Sequence, residues 1–459
     1  MRKHGARVLS AIALSLGLSL SAFAASLNDI QQNPDPAFFE ELSARLGCEQ
    51  AAQWVAQPAG GAGEFLATLT TMKDEAKKRS GREDRARSWY ALIKQNFFNS
   101  KKTAEHCSPS NGRTNNDGLS ALLSKFPEGL VVVGLGGFGS HTASEGTLTT
   151  SFETWNKTHQ QAIATGKLKF MRVECSFSYS PDESFCAADM LKTIESALAT
   201  QDPSGKMRLL LWGYSKGGIS AVEMLRTTPW LRDRTAAVVS VGTPFQGSAL
   251  IDRMAVAVDK FVANSQIPGT PDAMGADTIM KLIQMWIGGA RADVDDIMKN
   301  FAKVREGVHS LTTKSRAVSL SRNLPTGAFL RSNGSKIPVY QIAGIVDPSR
   351  MVGIPVMSVK GGKLVAVDRS YDVLHAGQLT AMMSSVTKPL SDSCVALEDA
   401  LLPLAPARAS GLDPHFLTVL RLDHLGLRFH RLPNELKHGV PDHALVDAAL
   451  ATIARRSTP

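Results

Sequence analysis

No zinc-ligand spacing links the cysteines of this chain, no long block of basic residues stands in it, and no internal repeat or low-complexity segment interrupts it. The first absence removes a structural zinc site from the expectations for Cys48, Cys107, Cys175, Cys186 and Cys394. The second argues against nucleic acid as a partner: the formal charge of +9 includes Arg2, Lys3 and Arg7, and the remainder is dispersed as ordinary solubility charge. An apolar run of membrane-spanning length is missing from the N-terminus as well, where residues 8–23 fall short of the roughly 20 that a spanning helix needs. Neither a P-loop Lys-Ser/Thr nor a dinucleotide fingerprint with its acidic partner accompanies the Gly-rich stretch 134–139, which makes nucleotide binding the weaker reading of that loop. No metal and no organic cofactor is expected.

What the N-terminus does contain is a basic start, an apolar stretch broken only by Ser and Gly, and Ala22-Phe23-Ala24, a small-x-small cleavage signal. Residues 1–24 are therefore read as a signal peptide removed after Ala24. The remaining chain of about 435 residues carries about +6 and has ample length for a buried core. The protein is expected to be exported, periplasmic or secreted, where disulfides persist. Cys175 and Cys186 flank a short loop and can pair, Cys48 and Cys107 can tie the N-terminal region together, and Cys394 is then the odd one out.

Residues 25–125 read as a polar, helical N-terminal region without a catalytic pattern. Residues 126–459 have a different texture, of short apolar runs each followed by a Gly-rich or polar turn and a helix-like stretch. The runs are 130–133, 168–173, 209–212, 236–241, 339–343 and 416–422. Hydrophobicity that is continuous rather than alternating means strands covered on both faces, so the expected fold class is α/β with a mostly parallel, doubly wound sheet. Residues 249–335 are expected to form a helical insertion over one edge of the sheet.

Between the run 209–212 and the helix-like stretch 219–226 stands Gly213-Tyr214-Ser215-Lys216-Gly217. In a chain with 37 glycines the bare G-x-S-x-G pattern is unspecific, and its position between a strand and a helix is what gives it meaning. A strand that turns sharply into a helix tolerates only small residues two before and two after a nucleophile, and it holds the serine Oγ clear of the backbone. The segment resembles the nucleophile elbow of α/β-hydrolases. Val241-Gly242-Thr243-Pro244-Phe245-Gln246-Gly247-Ser248 resembles the TP-x-x-GS segment of bacterial lipases and related esterases. The resemblance extends over roughly residues 129–455 and implies a serine hydrolase with Ser215 as nucleophile.

A base on the turn after the last strand would face the same edge as the elbow, and His424 stands there. It also resembles the DH-L/W-x histidine segment of lipase-like proteins, and the order Ser, Asp, His matches the family. His443 is the alternative base. Two acids remain open: Asp347, directly after the run 339–343, and Asp392, in a segment resembling N-D-G-x-V of bacterial lipases with Ser393 in place of Gly. Asp392 is preferred. Oxyanion donors are expected at Lys216 N–H and on the loop after the first strand, at Gly137 or Phe138. Tyr214, Met280 and Trp286 are expected at the substrate pocket, and the apolar face at 274–286 reads either as a lid or as a packing surface.

The expected function is an exported serine hydrolase of the lipase/esterase kind, cleaving small-molecule or lipid carboxylic esters through an acyl-enzyme. An acyltransferase or thioesterase on the same fold, or a non-catalytic exported binding protein, are the alternatives. A transient membrane or lipid interface and the oligomeric state are left open.

Overall fold

The computed structural model describes residues 30–78, 85–105, 107, 122–138, 160–178, 180–252, 255, 256, 259, 301–347, 356–360, 363–368, 390–424, 426–428 and 441–456. The signal-peptide expectation for residues 1–24, and the pocket and lid expectations for Met280, Trp286 and 274–286, lie outside them.

Among the described residues, five α-helices come first: α1 (Pro36–Leu46), α2 (Cys48–Trp54), α3 (Phe65–Lys78), α4 (Arg85–Phe97) and α5 (Ser100–Glu105). The start of α1 is set by its own sequence, since Asp35 accepts from Ala37 N–H at 3.0 Å and Pro36 occupies the first turn. Then follow β1 (Leu130–Leu135), α6 (Gln160–Ala164), β2 (Leu168–Val173), α7 (Glu183–Gln201), β3 (Arg208–Tyr214), α8 (Lys216–Thr227), α9 (Pro229–Arg234) and β4 (Thr235–Val241). The last part holds α10 (Phe301–Ser310), α11 (Thr313–Asn323), β5 (Ile337–Gly344), β6 (Val356–Lys360), β7 (Lys363–Asp368), α12 (Leu404–Ser410), β8 (Leu412–Leu420) and α13 (Asp442–Arg456).

Six strands form one sheet in the order β2-β1-β3-β4-β5-β8, with every neighbouring pair parallel. The continuous apolar runs have the expected cause. All six residues of β1 are buried, and successive side chains feed two cores on opposite faces: Val131, Val133, Leu209 and Leu211 on one, Leu130, Val132, Leu210 and Trp212 on the other. β6 and β7 make a separate antiparallel hairpin, which the sequence reading did not anticipate.

The chain leaves β1 for β2 on one side and returns to β3 on the other. That reversal opens a crevice at the carboxyl ends of β1 and β3, the place where open parallel sheets carry their sites.

The described part of the insertion packs against the start of α7 and the loop after β4. Buried Arg316 of α11 ion-pairs with Glu183 of α7 and donates through Nε to Phe245 O at 3.1 Å, and burial lowers the guanidinium pKa to about 10. The edge at β8 is lined by the N-terminal region. Val55 bridges antiparallel to Leu420, Ala56 N–H donates to Val419 O at 2.8 Å, and Asp35 N–H reaches Phe416 O at 2.9 Å. Phe65 meets Phe416 edge-on at 5.8 Å, while Phe38, Leu42 and Trp54 join the opposite core beside Leu445 and Leu450 of α13. Disulfides join Cys48 to Cys107 and Cys175 to Cys186; Cys394 is buried and forms none.

Candidate active site

The turn from β3 into α8 puts Ser215 at φ 52°, a positive value that a non-glycine residue adopts only where the surroundings enforce it. The glycines on either side permit the crowding. A Cβ on Gly213 would lie 2.5 Å from the Gly218 backbone, and one on Gly217 2.3 Å from Leu135 O. Ser215 N–H donates to Val241 O at 2.8 Å, which ties the elbow to the end of β4.

His424 follows β8 on the same edge. Its Nε2 lies 3.1 Å from Ser215 Oγ and its Nδ1 2.7 Å from Asp392 Oδ2. A carboxylate only accepts, so Nδ1 carries the proton and Nε2 is left to accept from the serine hydroxyl. All three side chains are buried. The fold is α/β-hydrolase-like.

Asp392 is held by its own turn. Its Oδ1 accepts from Cys394 N–H at 2.9 Å and Val395 N–H at 2.6 Å, and its carbonyl accepts from His424 N–H at 2.6 Å. Ser393 takes φ 83°, the left-handed conformation that the Gly of the resembling lipase segment supplies without strain. Two residues of the TP-x-x-GS stretch brace this turn and the segment after it from outside. Ser248 Oγ donates to Cys394 O, and Gln246 donates through Nε2 to Glu398 O at 2.8 Å and Leu401 O at 3.1 Å. Gly242, at φ 55°, lies under the acid and base; a Cβ there would come within 3.2 Å of Asp392 Oδ2 and 3.3 Å of His424 Cε1.

The alternative acid is engaged elsewhere. Asp347 is buried against Arg421, accepting from Nε at 3.0 Å, and the carboxylate at His424 is that of Asp392. The alternative base, His443, stands in the first turn of α13, and the imidazole at Ser215 is that of His424.

Tyr214, expected at the substrate pocket, stands against the histidine turn. It is buried, its hydroxyl donates to His424 O at 2.9 Å, and its ring lies 5.2 Å from the imidazole. As the last residue of β3, Tyr214 thus braces the histidine turn from beside the elbow.

Lys216 opens α8, where the first N–H groups have no acceptor within the helix. Gly137 and Phe138 follow β1 beside it, and a Cβ on Gly137 would lie 3.1 Å from Ser215 Cβ. Both expected donor loops thus flank the nucleophile. The side chain of Lys216 is a feature that the sequence did not reveal. Its buried Nζ donates to Ser178 O at 3.0 Å and to Ser180 O, lies 5.8 Å from the centroid of the Phe138 ring, and has its pKa lowered by burial to about 7, against the opposing pull of Asp182. Among the described residues no cluster of His, Cys, Asp and Glu side chains is placed to hold a metal ion, and no helix is long and apolar enough to cross a membrane.

No protein-family model matches the chain, and no curated protein is a significant match. Solved structures similar to it include a metagenomic carboxyl esterase, at 16% identity over 72% of this chain and 76% of that one, with a TM-score of 0.42. A Bacillus licheniformis lipase in its mature form is 15% identical over 66% of this chain and 86% of its own, at a TM-score of 0.35. A thermostable carboxyl esterase from Bacillus coagulans is 14% identical over 47% of this chain and 71% of its own, at 0.26.

Proposed function

We propose that this chain is an exported serine hydrolase that cleaves carboxylic esters through an acyl-enzyme on Ser215. The observation that carries the reading is the unbroken hydrogen-bonded line from Ser215 Oγ through His424 to Asp392, on a strained strand-to-helix turn. In the first half-reaction Oγ attacks the ester carbonyl carbon while His424 Nε2 takes its proton. Asp392 stabilises the imidazolium that forms without taking the proton itself. Negative charge on the carbonyl oxygen would be met by the N–H of Lys216 and an N–H of the Gly137 to Phe138 loop, aided by the positive end of α8. Collapse expels the alcohol, which leaves with the proton from His424. Water then attacks the acyl-enzyme by the same route, releasing the acid and restoring Ser215. Export is supported by the N-terminal pattern and by two disulfides, which persist in oxidising compartments.

Ser215→Ala removes the attacking oxygen and leaves a small residue in a buried turn. Hydrolysis of p-nitrophenyl acyl esters should fall by about 10³-fold or more, and labelling by a fluorophosphonate probe should vanish, with circular dichroism unchanged. Near wild-type hydrolysis by the variant would sink the assignment.

A further inference from the structure

The N-terminal helices contribute no residue to the site as described, yet they reach within three residues of His424. Arg421 is where they do so. Its backbone N–H donates to Trp54 O at 2.8 Å, at the end of α2. Its guanidinium is enclosed on every side. Nε donates to Asp347, Nη1 donates to Ser100 Oγ at 3.1 Å at the start of α5, and the flat face lies 4.6 Å from the Phe98 ring. Asp347 follows β5, so this single side chain joins the loop after β5, the turn after β8 and the N-terminal layer. Both members of the pair are nearly inaccessible, at 6% and 3%. Burying such a pair carries a desolvation cost that a well-packed apolar pair would avoid, which makes it a poor device for stability alone.

We propose that Arg421, locked by Asp347 and the N-terminal helices, is a positioning residue that fixes the turn carrying His424, so that the N-terminal region is a support of the active site. The proposal rests on the reading of Ser215, His424 and Asp392 as the catalytic set. The turn from Arg421 to His424 is short, and its far end is held by Tyr214 on the His424 carbonyl and by Asp423 Oδ1 accepting from Gly426 N–H at 2.6 Å. Without the guanidinium, the near end of the turn would keep only backbone contacts, from Arg421 N–H to Trp54 O and from Ile345 N–H to Leu420 O. The imidazole would drift from both Ser215 Oγ and Asp392 Oδ2, the contacts on which proton transfer depends.

The test uses the full-length mature protein. Arg421→Met alone strands a buried carboxylate and can fail to fold, so it is paired with the neutral double variant Asp347→Asn/Arg421→Met, which removes both charges together. In the folded double variant kcat should fall about ten- to a hundredfold with KM little changed, the size of effect that a small displacement of a catalytic group produces. The charged and titratable groups near the imidazole are Asp392 on Nδ1, its neighbour Asp423, Arg421 with Asp347, and the Tyr214 hydroxyl on its carbonyl. Weakening the Asp392 contact destabilises the imidazolium, so the ascending limb of kcat/KM should move to lower pH. Arg421→Lys, which keeps a charge for Asp347, should recover part of kcat. A folded double variant with wild-type kcat and an unmoved limb, beside an inactive Ser215→Ala, overturns the positioning role and leaves the hydrolase reading standing. An active Ser215→Ala overturns the hydrolase reading, and the proposal with it.

Discussion

At the scale of single residues, the two carboxylates considered for the acid differ in what they face. Asp392 Oδ2 meets His424, with Oδ1 held by two backbone N–H groups, whereas Asp347 faces a guanidinium. Asp392→Asn should therefore lower kcat by about 10²- to 10⁴-fold with little change in KM, because a carboxylate on Nδ1 acts mainly in the transition state. Asp347→Asn keeps an oxygen for Arg421 and should cost only a few-fold; the reverse ranking in steady-state kinetics would move the acid to the end of β5. Lys216 makes a prediction about stability. Its folded pKa, about 7, lies below the ordinary 10.5, so between those values the unfolded chain binds the proton and the folded chain does not. This group's contribution to stability therefore rises as pH climbs through that window, and its burial is most costly below pH 7. Lys216→Met, which carries no charge into the core, should gain on the wild type more at pH 6 than at pH 10 in paired urea titrations. An equal difference at both values would place the ammonium in a better-solvated state.

Among elements, the strands of the central sheet were legible because burial on both faces writes itself as continuous apolar runs. Leu209 to Trp212 and Ala236 to Val241 need no tertiary knowledge to be read. β8 was found late, at 416 rather than Leu412, because Asp413, Pro414 and His415 break its apolar pattern. Those residues are tolerated because β8 lies at the end of the sheet, where proline and polar side chains are accommodated. The β6–β7 hairpin escaped for a related reason: Val356 to Lys360 is five residues of mixed character with no helix following it. Of the candidate site, Ser215, His424 and Asp392 could be picked out because each stands in a local motif. Arg421 and the bracing contacts of Tyr214 and Ser248 could not, since these join segments far apart in sequence and no spacing encodes them. The turn after β4 gives a sharper test of the assembly. Gly242→Ala forces a side chain into a positive φ and against both Asp392 and His424, so kcat should drop at least tenfold with far-ultraviolet dichroism preserved. A fully active alanine variant would mean that the acid and base have more room than the structure gives them.

For the whole molecule, the first question is where the mature chain begins. The small-x-small signal ending at Ala24 calls for Ala25 as the first residue after export from a bacterial host, and N-terminal sequencing decides it. A chain still starting at Met1 would indicate an anchored protein instead. The second question is set by how the two ends meet. Arg456 Nε pairs with Asp35 at 2.8 Å and Arg455 with Glu40 at 2.9 Å, so α13 is fastened to α1. Gln32 donates to Pro414 O at 3.1 Å across 382 positions, and the N-terminal layer lines a strand made from nearly the last part of the chain. The disulfide between Cys48 and Cys107 closes within the N-terminal layer itself, whereas during synthesis Gln32 precedes its partner Pro414 by 382 residues. Contacts of such separation slow folding, because a long loop must close before they repay its entropy. The N-terminal layer thus reaches its final place only once β8 has been made. An incomplete chain lacks the strand that Asp35 and Ala56 line, and so does not yet hold the turn that carries His424.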